Sequence, residues 1–366
     1  MESFRYVSYA QEIIFASGSL EQVGEVVERI GWQRLMLCTS HSMQVGSQVD
    51  SLKSILGDCL VAVFDHVQPH VQDVQVHEAL GLAKGNKVDA VIGMGGGSPI
   101  GMAKAVGHQL HLPIIAIPTT YAGSEMTPVY GVTHTDEKPP RKVTVNDPKI
   151  VPSVVIYDPE LTLDLPPTLT ASTGINALAH SIEALYSKTR NPVSTAAAVD
   201  GVRHINNSLL TCYQDGKNLE ARIEMFLGSH LAGLSLASVS MGLHHGLCHV
   251  LGGTANVPHG IANAIILPHA IRFNADATAT QLIPAAEAMN VSENGTSPKG
   301  VIEAMAQEIF ELIRRMNLPQ RLRDTGVSES NLPRLAQIAF ENRTVQNNPK
   351  PITDATQLES LLWDAW

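Results

Sequence analysis

Fifteen histidines in 366 residues are many, and several of them repeat at helical spacing inside apolar stretches. Asn176 and His180 are four apart, so on a helix they share one face. His245 and His249 repeat that spacing in Gly242-Leu-His-His-Gly-Leu-Cys-His249, and His259 follows ten residues on, at what reads as a helix start. Two helices each offering such a polar pair, with one further imidazole, suit convergence on a metal ion or a polar substrate. A single buried histidine is more often a satisfied core residue. Four together on apolar helices favour a functional cluster.

A second chemistry-bearing segment lies earlier. Val88-Asp-Ala-Val-Ile-Gly93 reads as a strand, Met94-Gly-Gly-Gly-Ser98 as a turn, and Pro99 as the first residue of a helix running through Val106. Consecutive glycines let the backbone approach a phosphate, and a helix start presents free N–H groups and a positive dipole end. Pro99 suits the first helical position, where a missing N–H costs nothing. The bare pattern Gly93-x-Gly95-x-x-Ser98 is weak, because no acidic residue stands about 20 positions later as a dinucleotide fingerprint requires. Pro118-Thr-Thr-Tyr-Ala-Gly-Ser-Glu125 follows the next apolar strand. In open α/β sheets, ligands sit beyond the carboxyl ends of the strands, where both clusters should meet. Its hydroxyls suit a nucleotide, or equally a polar loop capping the next helix.

The elements that must position these groups change character along the chain. Leu35–Thr39, Cys59–Phe64, Ala90–Gly93, Ile114–Pro118 and Val154–Asp158 read as strands, with amphipathic stretches such as Val74–Lys84 between them. This alternation predicts a parallel sheet covered on both faces. After Leu161 long Ala-, Leu-, Ile- and Met-rich stretches dominate: Leu169–Tyr186, Ser194–Leu210, Glu220–Met241 and Pro298–Met316. The expected architecture is an α/β dinucleotide-binding domain over residues 1–160 and an all-α helical catalytic domain over 161–366. Asn290–Gly300 reads as an exposed loop.

Bulk properties narrow the function classes. With 44% hydrophobic and 16% charged residues the chain is globular. A net charge of −10 argues against nucleic acid, whose phosphates need surplus Lys and Arg. The N-terminus has no apolar signal core, and no run of 18 apolar residues argues for a membrane span. Cys38, Cys59, Cys212 and Cys248 lack paired spacing and read as reduced thiols, so a cytoplasmic protein is expected.

Taken in order, the motifs resemble the iron-containing alcohol dehydrogenase superfamily over nearly the whole chain. Within it the chain looks closest to the maleylacetate reductases, on three segments: Thr119-Thr-Tyr-Ala-Gly-Ser-Glu-Met-Thr-Pro128, Thr173-Gly-Ile-Asn-Ala-Leu-Ala-His-Ser-Ile-Glu-Ala-Leu-Tyr186, and His244-His-Gly-Leu-Cys-His-Val-Leu-Gly-Gly253. The resemblance implies a dehydroquinate synthase-like fold, with the active site in the cleft between the domains, and a homodimer. It implies that Gly95, Gly96, Gly97 and Ser98 hold the pyrophosphate of NADH or NADPH. Thr119, Thr120 and Ser124 would line the rest of that site, and Lys142 stands where a cofactor-side lysine is common. In metal-using members the four ligands match positions 176, 180, 245 and 259, and His249 falls beside the nicotinamide.

Position 176 departs from the metal-using pattern, with Asn in place of an anionic Asp. A neutral amide removes a full charge from the ligand set, although His180, His245 and His259 could still hold zinc. Maleylacetate reductases resemble the chain at Asn176 and work without metal, so Fe or Zn is not expected to be required. After His259 those reductases commonly continue Ala-Glu-Thr-His, whereas this chain has Gly260-Ile-Ala-Asn263, as in the metal-dependent alcohol dehydrogenases.

The reading that follows is NAD(P)H-dependent reduction of maleylacetate, a small dicarboxylate, to 3-oxoadipate in aromatic-compound degradation. His180, His245, His259 and Asn176 are the candidates to stabilise charge, and His249 to shuttle a proton. Arg141 or Lys142 would meet the dianion. No acidic residue follows the second strand in Cys38-Thr-Ser40-His41 to repel a 2′-phosphate, so Ser40 is expected near the cofactor and both cofactors should be accepted. The alternatives are a Zn- or Fe-dependent dehydrogenase of short alcohols or aldehydes, and a nucleotide-binding protein without activity. The retained glycine turn and histidines argue against the last.

Overall fold

The computed structural model describes residues 3–44, 47–134, 141–291 and 297–366. The chain forms two compact units, one of Ser8–Leu165 and one of Pro166–Trp366 with Met1–Val7.

The first unit is built on β1 (Glu12–Phe15), β2 (Leu35–Cys38), β3 (Leu60–Phe64), β4 (Ala90–Gly95), β5 (Ile114–Pro118), β6 (Val129–His134), β7 (Arg141–Asn146) and β8 (Val154–Tyr157). Six strands make one wholly parallel sheet in the order β1-β8-β5-β4-β2-β3. Strands β2, β4, β5 and β8 are buried along their length, as expected where both faces are covered. Apolar side chains fill both sides: Met36, Val91, Met102 and Val106 belong to one cluster, and Leu37, Ile92, Ile115 and Ile156 to the other. Strand β1, which composition did not single out, adds at the edge beside β8. Strands β6 and β7 form a separate antiparallel hairpin.

The strand order places the phosphate turn. Strand β2 lies between β3 and β4, so the chain leaves β2 toward one edge and β4 toward the other. Loops that diverge in this way open a crevice at the carboxyl ends of the strands. Cys38 pairs with Gly93 in that register, which puts Ser40 and the glycines on neighbouring strand ends.

The second unit is helical: Pro167–Tyr186, Pro192–Gln214, Leu219–Ser238, Leu243–Ala255, His259–Ala288 and Pro298–Arg315, followed by shorter helices to Asp364. The helix expected to run through Met241 ends at Ser238. Beyond it Val239 is extended, and the link is tied down by side chains: Thr189 Oγ1 accepts from the Ser240 N–H at 2.8 Å, and Ser187 Oγ donates to the Ser240 carbonyl at 2.7 Å. The 30-residue helix His259–Ala288 contains Pro268 and Pro284, which propensity alone would place at helix ends. Among the described residues no single helix is long and apolar enough to cross a membrane, and none of the four cysteines forms a disulfide.

Two helices that carry site residues touch at Gly260. A Cβ there would lie 2.8 Å from Ser172 Cβ and 3.0 Å from the Ser172 carbonyl oxygen, closer than real side chains pack. Gly260→Ala therefore forces apart the Pro167–Tyr186 and His259–Ala288 helices. Overpacking of this kind costs about 1–3 kcal/mol. Thermal denaturation should show a lower Tm for the variant, and an unchanged Tm would contradict the close contact.

Candidate active site

In the α/β unit the glycine turn is tighter than the sequence reading supposed. Strand β4 continues to Gly95, Gly96 is the N-cap, and the helix begins at Gly97 rather than Pro99. Pro99 is thus the third helical residue. The first four N–H groups of a helix have no partner within it, so proline is tolerated there too. Gly95 has φ +139°, where a side chain is strained, and a Cβ would sit 2.8 Å from Pro99 Cγ. The turn therefore exposes backbone N–H groups of Gly97 and Ser98 at a helix N-terminus, the arrangement suited to a pyrophosphate.

Two of the other predicted cofactor residues, Thr119 and Thr120, meet this turn. The Thr119 N–H donates to the Gly95 carbonyl at 3.0 Å, and Thr119 Oγ1 lies 3.7 Å from Met43 Sδ in the segment after Ser40. A Cβ on Gly96 would lie 3.3 Å from the Thr120 side chain. Ser40 shares a 2.9 Å hydroxyl contact with Ser42. Lys142 lies on β7, but its side chain and that of Arg141 fall outside what is described.

Ser124 is held by a residue the sequence reading passed over. Lys104 is fully buried, and its ammonium donates to the carbonyls of Ser124 (2.5 Å), Thr127 (2.6 Å) and Val129 (3.0 Å), with Thr127 Oγ1 at 3.1 Å. Burial lowers its pKa from 10.5 to about 7, against the opposing pull of Glu125. Glu125 is itself buried and accepts from the Tyr157 hydroxyl at 2.7 Å; desolvation raises its pKa. The signal was present in the sequence: Lys104 is the sole formally charged residue of its helix, Gly97–Leu110.

In the helical unit Asn176, His180 and Glu183 lie on the Pro167–Tyr186 helix, and all three are buried. His245 and His249 lie on Leu243–Ala255, and His259 opens His259–Ala288. The four predicted imidazoles come together. The His180 and His245 rings stack with centroids 4.7 Å apart, and those of His249 and His259 at 5.7 Å. His245 lies 6.5 Å from His249 and 6.2 Å from His259. His249 is exposed and His259 half-buried, so the cluster grades from dry to wet.

Glu183, also absent from the sequence reading, anchors the cluster. Its Oε1 accepts from the backbone N–H groups of Gly242 (3.0 Å) and His244 (3.1 Å). Its Oε2 accepts from the His245 N–H at 3.3 Å and lies 2.5 Å from His245 Nδ1. The N-cap residue Gly242 has no side chain, so a carboxylate from another helix caps Leu243–Ala255. Glu183 is the one charged residue in its 20-residue helix, which was the available signal.

Burial keeps the inner rings neutral. Desolvation lowers His180 well below 6.5, and lowers His244 and His245 to about 3, with neighbouring imidazoles adding to the effect. His180 Nδ1 and His245 Nε2 are buried and make no hydrogen bond within the protein. Both atoms are therefore available to a group from outside the protein.

The donor set is poorly matched to a resident metal. Among the described residues, the group of three His, Cys, Asp or Glu side chains with ligand atoms within 4.8 Å of one another is Glu183, His244 and His245. Its close contacts are side-chain ones, His245 Nδ1 to Glu183 Oε2 at 2.5 Å and to His244 Nδ1 at 3.2 Å. His180, His245 and His259 do not form such a group, and the fourth position, Asn176, brings no charge.

The tail residues Asn348 and Lys350 are structural. Asn348 exchanges amide hydrogen bonds with Asn274 (2.7 and 3.1 Å), and Lys350 donates to the Phe273 carbonyl at 2.8 Å.

A doubly wound parallel sheet with a glycine turn at its switch point is the architecture of a dinucleotide-binding enzyme. The family model described as "Iron-containing alcohol dehydrogenase" matches residues 10–159, and "Fe-containing alcohol dehydrogenase family, C-terminal" matches 170–366. The chain belongs to the iron-containing alcohol dehydrogenase family and is an NAD(P)-dependent oxidoreductase. It is 36% identical over 352 residues to a maleylacetate reductase of Burkholderia cepacia, covering 96% of this chain and 95% of that one. A crystal structure of maleylacetate reductase from Agrobacterium tumefaciens matches with a TM-score of 0.89 at 34% identity, covering 100% and 99%. A 1,3-propanediol oxidoreductase structure matches with a TM-score of 0.94 at 31% identity, covering both chains fully.

The neutral histidines set a pH dependence. Folded pKa values near 3 for His244 and His245, and near 4 for His230 and His269, lie below the unfolded value of 6.5. The unfolded chain therefore binds more protons between those values, and stability falls as pH drops from 6.5 toward 4. Glu125 and Glu183, whose pKa values are raised, oppose this with fewer groups. Denaturant unfolding at pH 7.5 and pH 5 should show the loss, together with net proton uptake on unfolding. A flat profile would contradict neutral buried imidazoles.

Proposed function

We propose that the protein reduces maleylacetate to 3-oxoadipate with NADH or NADPH, and that it does so without a required metal. The observation that carries this reading is the donor set around Asn176: a neutral amide at position 176 beside neutral imidazoles, with the one nearby carboxylate, Glu183, engaged by backbone N–H groups and the far side of His245. Similarity to maleylacetate reductases along nearly the full chain supports the substrate class.

The cofactor supplies a hydride. The backbone of Gly95, Gly96, Gly97 and Ser98 holds its pyrophosphate, with Thr119, Thr120, Ser124 and Ser40 beside it and Lys142 as a cation for phosphate. The hydride adds to the alkene carbon β to the ketone, and the π electron pair moves to the ketone oxygen, forming an enolate. Charge developing on that oxygen needs preorganised donors. The Asn176 amide and the imidazoles of His180 and His259 supply them, and His245 organises the cluster. The enolate then takes a proton at the α carbon, relayed from water by exposed His249.

The second reading is a metal-dependent dehydrogenase of short alcohols. It is favoured by the Gly260-Ile-Ala-Asn263 sequence and by the likeness to 1,3-propanediol oxidoreductase.

Oxidation of NADH and NADPH with maleylacetate, before and after EDTA treatment, separates the two. We expect turnover to survive chelation and the two cofactors to differ by less than about a hundredfold in kcat/KM, roughly 2.7 kcal/mol. Turnover that returns only on adding Zn²⁺ or Fe²⁺ would establish the metal-dependent reading. Asn176→Asp restores an anionic ligand, so it should raise Zn²⁺ affinity in calorimetric titration.

A further inference from the structure

The Glu183 contacts determine more than the start of a helix. His244 Nε2 lies 3.2 Å from the Asn263 carbonyl, which can only accept, so in the neutral ring the His244 proton is on Nε2 and Nδ1 is bare. That bare Nδ1 faces His245 Nδ1 at 3.2 Å. On its other side His245 Nδ1 faces Glu183 Oε2 at 2.5 Å, an acceptor when ionised. Two independent acceptors thus converge on one ring nitrogen. With Glu183 held as a carboxylate by the three backbone N–H groups it accepts from, a His245 tautomer with its proton on Nδ1 satisfies both, and a proton on Nε2 would leave three acceptors facing each other in a dry site.

We propose that Glu183 is a positioning residue that sets the tautomer of His245, so that Nε2 presents a lone pair, and no proton, to the space shared with His180, His249 and His259. The same carboxylate does two separable things. Oε1 caps the helix through Gly242 and His244, and Oε2, which also accepts from the His245 N–H at 3.3 Å, selects the proton position on His245. A ring whose tautomer is fixed by the group behind it is a recurring device at sites built from histidine, whether the front nitrogen meets a substrate or a metal. The functional consequence rests on the reading that this cluster receives the substrate. His245 then accepts a hydrogen bond from a neighbouring ring and so orients that ring's other nitrogen, while Asn176, His180 and His259 supply the donors to the substrate.

Glu183→Gln removes the second role at the cost of one cap bond, the 3.3 Å bond from the His245 N–H to Oε2. The amide oxygen at the Oε1 position keeps the Gly242 and His244 bonds, whereas the amide nitrogen at the Oε2 position donates to His245 Nδ1 and drives the proton to Nε2. The inverted ring then meets the N–H groups of its neighbours with its own N–H. The test uses the full-length chain with ¹⁵N-labelled histidine, the His245 signals being assigned by their loss in His245→Asn. In the wild type His245 Nδ1 should be the protonated nitrogen, and in Glu183→Gln it should be the bare one. Glu183→Asp keeps an acceptor and should keep the wild-type pattern. A wild-type ring protonated at Nε2, or a Glu183→Gln ring unchanged from wild type, would overturn the proposal; the wild-type measurement decides even where the variant fails to fold.

Kinetics separate this inference from the functional reading it rests on. With the tautomer inverted, kcat on maleylacetate should fall by about tenfold or more while KM for NADH stays within about twofold. Inversion of the tautomer with kcat unchanged would support the positioning by Glu183 and remove His245 from the reaction.

Discussion

The helical unit depends on one buried carboxylate at the mouth of one helix. Leu243–Ala255 begins at a glycine that has no side chain to cap it, and its first N–H groups are buried. Left unpaired, such groups would cost about 1–3 kcal/mol each. Glu183 reaches them from the neighbouring helix, and the helix dipole favours its negative charge. The cap fixes the rotation and start of Leu243–Ala255, and with them the direction in which His245 and His249 point. The link from His244 to the Asn263 carbonyl then ties the first turns of His259–Ala288 to the same network. One charge thereby coordinates three helices, and every imidazole of the cluster lies on one of them.

The α/β unit uses a buried cation in a comparable way. Lys104 gathers three carbonyls from Ser124 to Val129, a stretch with little regular structure of its own. Buried ammonium groups are unfavourable unless fully hydrogen-bonded. Here the partners lie in the loop that carries Ser124 and at the first residue of β6 that follows it, so desolvation and loop order are coupled. Glu125, held by Tyr157, lies close enough to oppose the loss of the lysine's charge. Both units thus place a lone charge on an apolar helix and satisfy it with backbone groups of a functional segment.

Neutrality is the common property of the histidine cluster. The buried rings stay uncharged because burial penalises imidazolium, and Asn176 adds dipole without charge. The cluster is also graded: the inner rings are dry, while His249 is exposed.

Much of this was readable from composition and spacing. Continuous β-branched runs marked the central strands, and four-residue spacing on apolar helices marked Asn176, His180, His245 and His249. The glycine turn announced itself by three successive residues without side chains. These are local properties, set by periodicity and by what a backbone can adopt. Helix ends, the edge strand β1 and the hairpin of β6 and β7 were not legible, because distant partners decide them: Thr189 and Ser187 end one helix, and β8 recruits β1. Glu183 and Lys104 stood in the sequence as isolated charges on apolar helices, but an isolated charge does not name its partners. The sequence by itself determined which side chains could do chemistry. Tertiary structure decided which of them meet and which nitrogen of His245 faces the site, because hydrogen bonds between residues 62 apart are set by packing and not by spacing.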